Sequence, residues 1–387
     1  MKKSYKILRI ISSIDPEFGG PSKTVIETSL ALCNQGFKVD IITSDPKNSN
    51  FYKSKKIKII NKGPRIGKYD FNINLFFWLL KHRHKYDFFI IEGMWQFNTL
   101  LARILLKNKY FVFVHGTIDQ WFGKENFFKV LKKKIYWFLF EKKNLIESNS
   151  VLFTANKEKR LFKNTFVNTL GIKGNVLDFG IIKPKIDKKK ALKSFYKVFP
   201  ELKNKNFLLF LGRYHEKKGC EILIKSIFKL NKKKIKIFLL LAGPMQKTKY
   251  ENYLFSLIKK FHLENQIIMS DGLYDDKKWG AILASQAMVL SSYTENFGIS
   301  LAESLCCSRP VLTTNRVNIY DEIKKFQSGL ISNPNVENFS KILKKHYFLN
   351  SNQRKKMRTN ALICFNDKFN LLNQKNNLGR LLKKNIS

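Results

Sequence analysis

Short apolar runs recur along the chain with room for a helix between neighbours. Lys6 to Ile11 (KILRII), Val39 to Thr43, Ile57 to Ile60, Phe88 to Ile91, Tyr110 to Val114 and Val151 to Phe153 are all of this kind. Their apolar residues are mostly consecutive, interrupted by Arg9, Asp40 and Lys58, and do not keep a strict alternation, which fits strands buried on both faces. After the first run comes the turn-rich DPEFGGPS, then a helical pattern through Val25, Leu30 and Leu32 to Gly36. Strand and helix in alternation predict a parallel sheet covered on both sides. The pattern breaks after Phe179-Gly180, where IIKPKIDKKK (Ile181 to Lys190) is charged, contains Pro and has no period. Such a stretch reads as a linker between domains. A second series follows with strands at Phe207 to Leu211, Ile235 to Leu241, Gln266 to Met269 and Gly329 to Ser332, and helices at Glu221 to Leu230 and Lys277 to Ala284. The expected division is a first domain over 1–182, a linker over 183–190 and a second domain over 191–365.

Two places in the first domain carry candidate chemistry. The loop after the first strand holds Gly19-Gly20-Pro21 where a dinucleotide fingerprint would show G-x-G-x-x-G, so a dinucleotide site is not supported. Glycines without a Cβ still allow close approach of a ligand to that backbone. His115 and Gly116 follow directly on FVFV. A His at the carboxyl end of a parallel strand points to the crevice where open α/β sheets bind ligands. His82, His84, His215, His262 and His346 have no such setting and read as surface or core residues.

The chain is organised around VLSSYTENFGISLAESLCCSRPVLTT, Val289 to Thr314, which reads as strand, loop, helix, strand. Glu295 stands in the loop, and Glu303, eight positions later, stands on the helix that Gly298 opens. The amides of Phe297, Gly298 and Ile299 fall at that helix N-terminus, which favours an anion such as phosphate by about 0.3–1 kcal/mol. This stretch resembles the retaining glycosyltransferases of family 4, the glycosyl transferases group 1. It shares their E-x7-E spacing, the ENFG turn, the Ala302-Glu303 pair and the Pro310-Val311 pair. GRYHEKKGC after the strand at 207–211 is similar to the loop that binds the donor diphosphate there, with Gly212, Arg213, Lys218 and Gly219 at the matching places. The chain departs from the pattern at Asn296, where Gly is more frequent.

The resemblance spans nearly the whole chain and implies an α/β protein of GT-B fold, two Rossmann-like doubly wound parallel-sheet domains facing across a cleft. It implies a metal-independent, retaining transfer of a hexosyl group from a nucleotide-diphosphate sugar to a glycan or lipid-linked acceptor. His115, Arg213, Lys218 and Glu295 then take catalytic roles. Gly19, Gly20, Gly212, Leu273, Asn296, Phe297, Gly298, Ile299 and Glu303 hold the donor, with Glu303 on the ribose hydroxyls. No cofactor and no metal are expected. The segment 366–387, aromatic then basic, is similar to the family's terminal helix that packs back on the first domain. A nucleotide-sugar epimerase or glycan phosphorylase of the same architecture is the alternative among enzymes.

Charge adds a further expectation. The 72 Lys and Arg against 29 Asp and Glu give +43, which calls for anionic company. A nucleic-acid-binding protein is the reading from another class, but neither a helix-turn-helix nor a zinc spacing is present, and no nucleic acid is expected. An anionic membrane remains a partner candidate through Trp121 to Leu145. On a helix, its Phe128, Leu131, Ile135 and Phe138 fall on one face, while Lys132, Lys133, Lys142 and Lys143 fall elsewhere, with Trp137 and Phe140 left over. The alternative for this segment is a covering helix of the Rossmann core. Five cysteines without a C-x-x-C pair point to a reducing compartment, and no run approaches the ~18 apolar residues of a membrane span. The protein is therefore expected in the cytoplasm, peripheral at the inner face of the membrane.

Overall fold

The computed structural model describes residues 4–16, 20–67, 69–117, 127–165, 167–374 and 377–385. Two compact units divide the chain, one formed by Met1–Ile182 with Gln374–Ser387, the other by Lys183–Asn373.

Among the described residues, the strands of unit 1 are β1 (Lys6–Ile11), β2 (Lys38–Thr43), β3 (Ile57–Asn61), β4 (Phe88–Glu92), β5 (Tyr110–Phe113), β6 (Ser150–Phe153) and β7 (Gly174–Val176). They pair in the order β3-β2-β1-β4-β5-β6-β7, and every pair is parallel. The helices of this unit are α1 (Gly20–Asn34), α2 (Ile73–His82), α3 (Phe97–Leu106), α4 (Phe127–Tyr136), α5 (Lys142–Ile146) and α6 (Asn156–Lys163). The consecutive apolar runs are explained by burial: Ile7, Leu8, Ile10, Ile90, Ile91, Phe111 and Val112 are all inaccessible. Leu8, Ile91 and Val112 pack into one cluster, and Ile7, Ile90 and Phe111 into another.

Unit 2 contains β8 (Phe207–Leu211), β9 (Phe238–Ala242), β10 (Ile267–Ser270), β11 (Ala287–Leu290), β12 (Val311–Thr314) and β13 (Gly329–Ser332). Their order is β10-β9-β8-β11-β12-β13, again with all pairs parallel. Its helices are α7 (Lys188–Val198), α8 (Cys220–Asn231), α9 (Lys249–Lys260), α10 (Asp275–Ala284), α11 (Ile299–Cys306), α12 (Tyr320–Lys325), α13 (Val336–Tyr347) and α14 (Ser351–Cys364). In each sheet the strand order reverses once, between β1 and β4 and between β8 and β11. Ligands of open α/β sheets bind in the crevice outside the carboxyl ends of such a strand pair. Both units are thus Rossmann-like parallel sheets of the GT-B type.

Several elements differ from the reading of the sequence. The run expected as a strand from Ile235 enters β9 only at Phe238, because the chain first leaves α8 through Lys234 at φ 58°, where the Ile235 amide donates to Leu230. Residues 188–190 of the expected linker are the first turn of α7, capped by the Asp187 carboxylate on the Lys190 amide. The final segment is not one helix over 366–387. A π turn over Phe365–Phe369 closes α14 within unit 2, and α15 (Leu378–Lys384) puts Leu378 and Leu382 into the core of unit 1 with Ile7 and Phe37.

Candidate functional site

In unit 2 the two loops at the reversal carry the candidate residues. The loop after β8 leads through Gly212, Arg213 and Lys218 to Gly219, which sits at φ 62° and caps α8. The loop after β11 leads through Glu295, Asn296 and Phe297 to Gly298, which sits at φ 73° and opens α11. Backbone and side chains tie the loops together. The Tyr293 amide donates to the Lys217 carbonyl at 2.9 Å, and the Ser291 hydroxyl donates to the Gly219 carbonyl at 2.7 Å. A Cβ on Gly219 would lie 2.6 Å from the Ser291 carbonyl oxygen, so only glycine lets the loops meet this closely. Across the junction the Lys218 ammonium pairs with the Glu295 carboxylate.

The loop of Glu295 is itself held by the loop after β12. The Glu295 amide donates to the Arg316 carbonyl at 3.2 Å, the Asn318 amide donates to the Glu295 carbonyl at 3.1 Å, and the Asn318 side chain donates to Asn296 at 3.1 Å. Phe297 is buried with its ring edge-on to Phe369. Gly212 follows β8, and its carbonyl lies where any Cβ on Gly243 would fall. Tyr214 pins this loop to the neighbouring strand ends, its hydroxyl within 2.7 and 2.8 Å of the Ser270 and Leu241 carbonyls.

Glu303 and Arg213 stand differently. Glu303, 4% exposed on α11, accepts from the Lys278 ammonium of α10 at 2.9 Å. Arg213 is exposed at the start of its loop and makes no ion pair among the described residues. Leu273 is half-buried after β10, at the sheet edge and two strands from β8, so it stands apart from the Lys218–Glu295 junction. Ile299 begins α11.

In unit 1, His115 follows β5 at φ 45°, with its ring stacked on Phe113. Its Nε2 is 2.7 Å from Oε2 of Glu92, the last residue of β4. Glu92 in turn holds Arg9 of β1 through the guanidinium Nε at 2.8 Å, and both are buried. Arg9 also donates to the Val25 carbonyl and to the Thr28 and Ser29 hydroxyls of α1. Burial pushes the Glu92 carboxyl up, but Arg9 and then His115 outweigh it and hold it below the usual carboxylate range. An ionised carboxylate only accepts, so His115 donates from Nε2 and presents Nδ1 on its other side. A second buried carboxylate, Glu158, accepts from the amides of Gly116 and Thr154, each at 2.7 Å. Gly20 begins α1, and Gly19 lies outside the described residues.

Sequence reasoning missed Arg9, Glu92, Glu158 and Lys278. A signal was present for the first two, since a charged residue within or directly after a buried apolar run needs a partner of opposite sign.

Residues 189–362 match the family described as glycosyl transferases group 1. An alpha-1,3/1,6-mannosyltransferase ALG2 of Dictyostelium discoideum is 28% identical over 200 residues, 48% of this chain and 47% of that protein. This relative is thus matched over less than half its length. The ALG2 of Candida albicans is 22% identical over 91% of this chain and 93% of its own. Among solved structures, a sucrose-phosphate synthase from Thermosynechococcus elongatus superposes with a TM-score of 0.78 at 16% identity, covering 99% of each chain. WaaG, a glycosyltransferase involved in lipopolysaccharide biosynthesis, gives 0.72 at 16% identity, over 98% of this chain and 99% of its own. At such identities the structures speak for the fold alone. The family's domain thus covers residues 189–362, within unit 2, and the solved structures share the fold of both units.

Proposed function

We propose that the protein transfers a hexosyl group from a nucleotide-diphosphate sugar, with retention at the anomeric carbon, to a glycan or lipid-linked oligosaccharide in cell-surface polysaccharide assembly. The mannosyltransferase names of the relatives make mannose the first donor sugar to test. The observation that carries the reading is the Lys218–Glu295 pair bridging the two loops at the strand reversal of unit 2, beside the N-terminus of α11. An arriving diphosphate competes with Glu295 for the Lys218 ammonium, which releases the carboxylate toward the sugar. Arg213 offers a planar fork of donors to the same phosphates, and the amides of Phe297, Gly298 and Ile299 add partial positive charge.

These groups stabilise the diphosphate as it departs, the role a divalent cation takes in other transferases, so the reaction is proposed to need none. The bond from the anomeric carbon to the diphosphate oxygen breaks, the acceptor oxygen bonds on the same face, and its proton passes to the departing phosphate. Glu303, held by Lys278, accepts from the ribose hydroxyls. His115, oriented by Glu92, positions the sugar. The acceptor is met at the cytoplasmic face of a membrane, which the protein touches peripherally.

Thermal unfolding with a panel of nucleoside diphosphates and nucleotide sugars, without added metal, tests the donor site, because a ligand of the folded state raises the melting temperature. The expected result is a shift with one base that is lost in Glu303→Ala. In turnover, Arg213→Ala lowers kcat by about 10²–10³. No shift with any nucleotide, or near-normal turnover of that variant, overturns the reading.

A further inference from the structure

Unit 1 displays an apolar surface that its own core does not use. α4 and the π turn after it (Trp137–Glu141) are anchored to the unit along one side only. On that side Trp137 is 4% exposed and donates to the Asn168 carbonyl, and the Tyr136 hydroxyl meets that of Tyr69 at 2.8 Å. Glu141, fully buried, accepts from the Trp95 amide and from Thr99 and Asn144. The inner face of this helix is therefore complete.

At about 100° per residue, the outer face of α4 runs through Phe127, Phe128, Leu131 and Ile135 within an arc of about 100°, and Phe138 and Leu139 of the π turn are exposed after it. Phe127 is 73%, Phe128 76% and Phe138 79% exposed. No residue of α4 is buried. Along the arc's two edges lie Lys134 on one side, and Lys132 then Lys129 on the other. Apolar residues that face outward along a whole helix, with lysines at both margins, match the layout of a helix lying in a bilayer interface.

We propose that this face of α4 docks unit 1 on an anionic membrane, with the apolar arc at the headgroup boundary and the lysines on lipid phosphates. Charge decides the occupant. A second copy of the chain would bring lysine-edged surfaces of a +43 protein against each other, whereas an anionic bilayer attracts both the helix margins and the molecule as a whole. No helix among the described residues is long and apolar enough to cross a membrane, so the contact is superficial. The proposal deepens the membrane part of the functional reading. Its test involves no transfer, so its failure is distinguishable from failure of the donor site.

The experiment is flotation of the full chain with vesicles of phosphatidylcholine alone or mixed with phosphatidylglycerol, at low and near-physiological salt. Binding is expected to the anionic vesicles and to weaken with salt. Lys132→Glu with Lys134→Glu lowers partitioning by at least roughly 25-fold, about fivefold for each lysine. Leu131→Gln with Ile135→Gln lowers it by at least about tenfold even where salt screens the lysines. Both double variants keep the wild-type melting temperature and nucleotide shift, since the four positions are on the outer side. A chain that stays in the soluble fraction with anionic vesicles overturns the proposal, and so does equal flotation of both variants. A concentration-dependent dimer abolished by Leu131→Gln with Ile135→Gln, without flotation, gives the face to a second copy and overturns it too.

Discussion

The turn at His115 and Gly116 is gripped by two buried carboxylates whose titrations are shifted in opposite directions. Glu92 is held below the usual range by Arg9 and His115 against the push of burial, whereas Glu158, which lacks a cation as strong, is pushed up by burial despite its amide donors. A carboxyl lowered on folding gives stability that is present above its unfolded value of 4.5 and lost as pH falls through the folded value. A carboxyl raised on folding gives stability that is complete below 4.5 and lost as pH rises through its folded value. Glu92→Gln, which strands Arg9, is expected to destabilise by about 3–5 kcal/mol at neutral pH, and the deficit shrinks below pH 4.5. Glu158→Gln shows the reverse trend, a deficit larger in acid than at neutral pH. Urea unfolding of both variants and the wild type across this range reads the two slopes, and slopes of equal sign would contradict the assignment. The sequence showed His115 but not its supports. Arg9 sits inside KILRII and Glu92 ends FFIIE, and nothing local tells a reader that two interruptions 83 positions apart in separate strands neutralise each other.

At the scale of elements, the parallel sheets were legible because strands buried on both faces leave mainly apolar runs. β7, only Gly-Asn-Val at the sheet edge and half-exposed, leaves no such run and was not anticipated. The helix read at 121–145 lies partly outside the described residues, and within them Phe128, Leu131, Ile135 and Phe138 face away from the core while Trp137 and Leu145 are buried in it. Periodicity shows that a helix has an apolar stripe and is silent about what the stripe meets. The glycines of the loops after β8 and β11 were legible as positions but not in rank. Gly219 and Gly298 both have positive φ, which strains an L-residue by roughly 1–2 kcal/mol. At Gly298 the nearest atoms to an added Cβ are side-chain carbons at 3.4 and 3.5 Å, whereas at Gly219 the obstacle is backbone at 2.6 Å. Gly298→Ala should therefore lose about that strain alone, and Gly219→Ala more, because either the β8–α8 loop or the end of β11 must retreat. Equilibrium unfolding orders the two. The displaced Lys218–Glu295 junction should also weaken the nucleotide-induced thermal shift in Gly219→Ala.

For the whole molecule, the sequence pattern separates two series of strands, the resemblance implies a terminal segment 366–387 on the first domain, and of that segment the structure gives unit 1 only the residues from Gln374 onward. Unit 2 is continuous from Lys183 to Asn373, but unit 1 is closed by residues from Gln374 onward. Leu382 of α15 is inaccessible, and Leu378 beside it is 7% exposed, in a cluster with strand residues from the other end of the chain. The last helix is thus a core element of the unit that folds from the first residues. Each unit has its own core, so each can supply its own cooperative transition. Leu382→Ala removes a buried side chain at a cost of about 2–5 kcal/mol, all of it in unit 1. The proposed donor-site residues Arg213, Lys218, Glu295 and Glu303 belong to unit 2. Calorimetry of Leu382→Ala with and without the stabilising nucleotide should show one transition moved down by the substitution and unresponsive to nucleotide. The other should keep its midpoint and its upward shift with ligand. If the substitution lowered both transitions equally, the molecule would be unfolding as one body, and the independence of the two cores would be refuted.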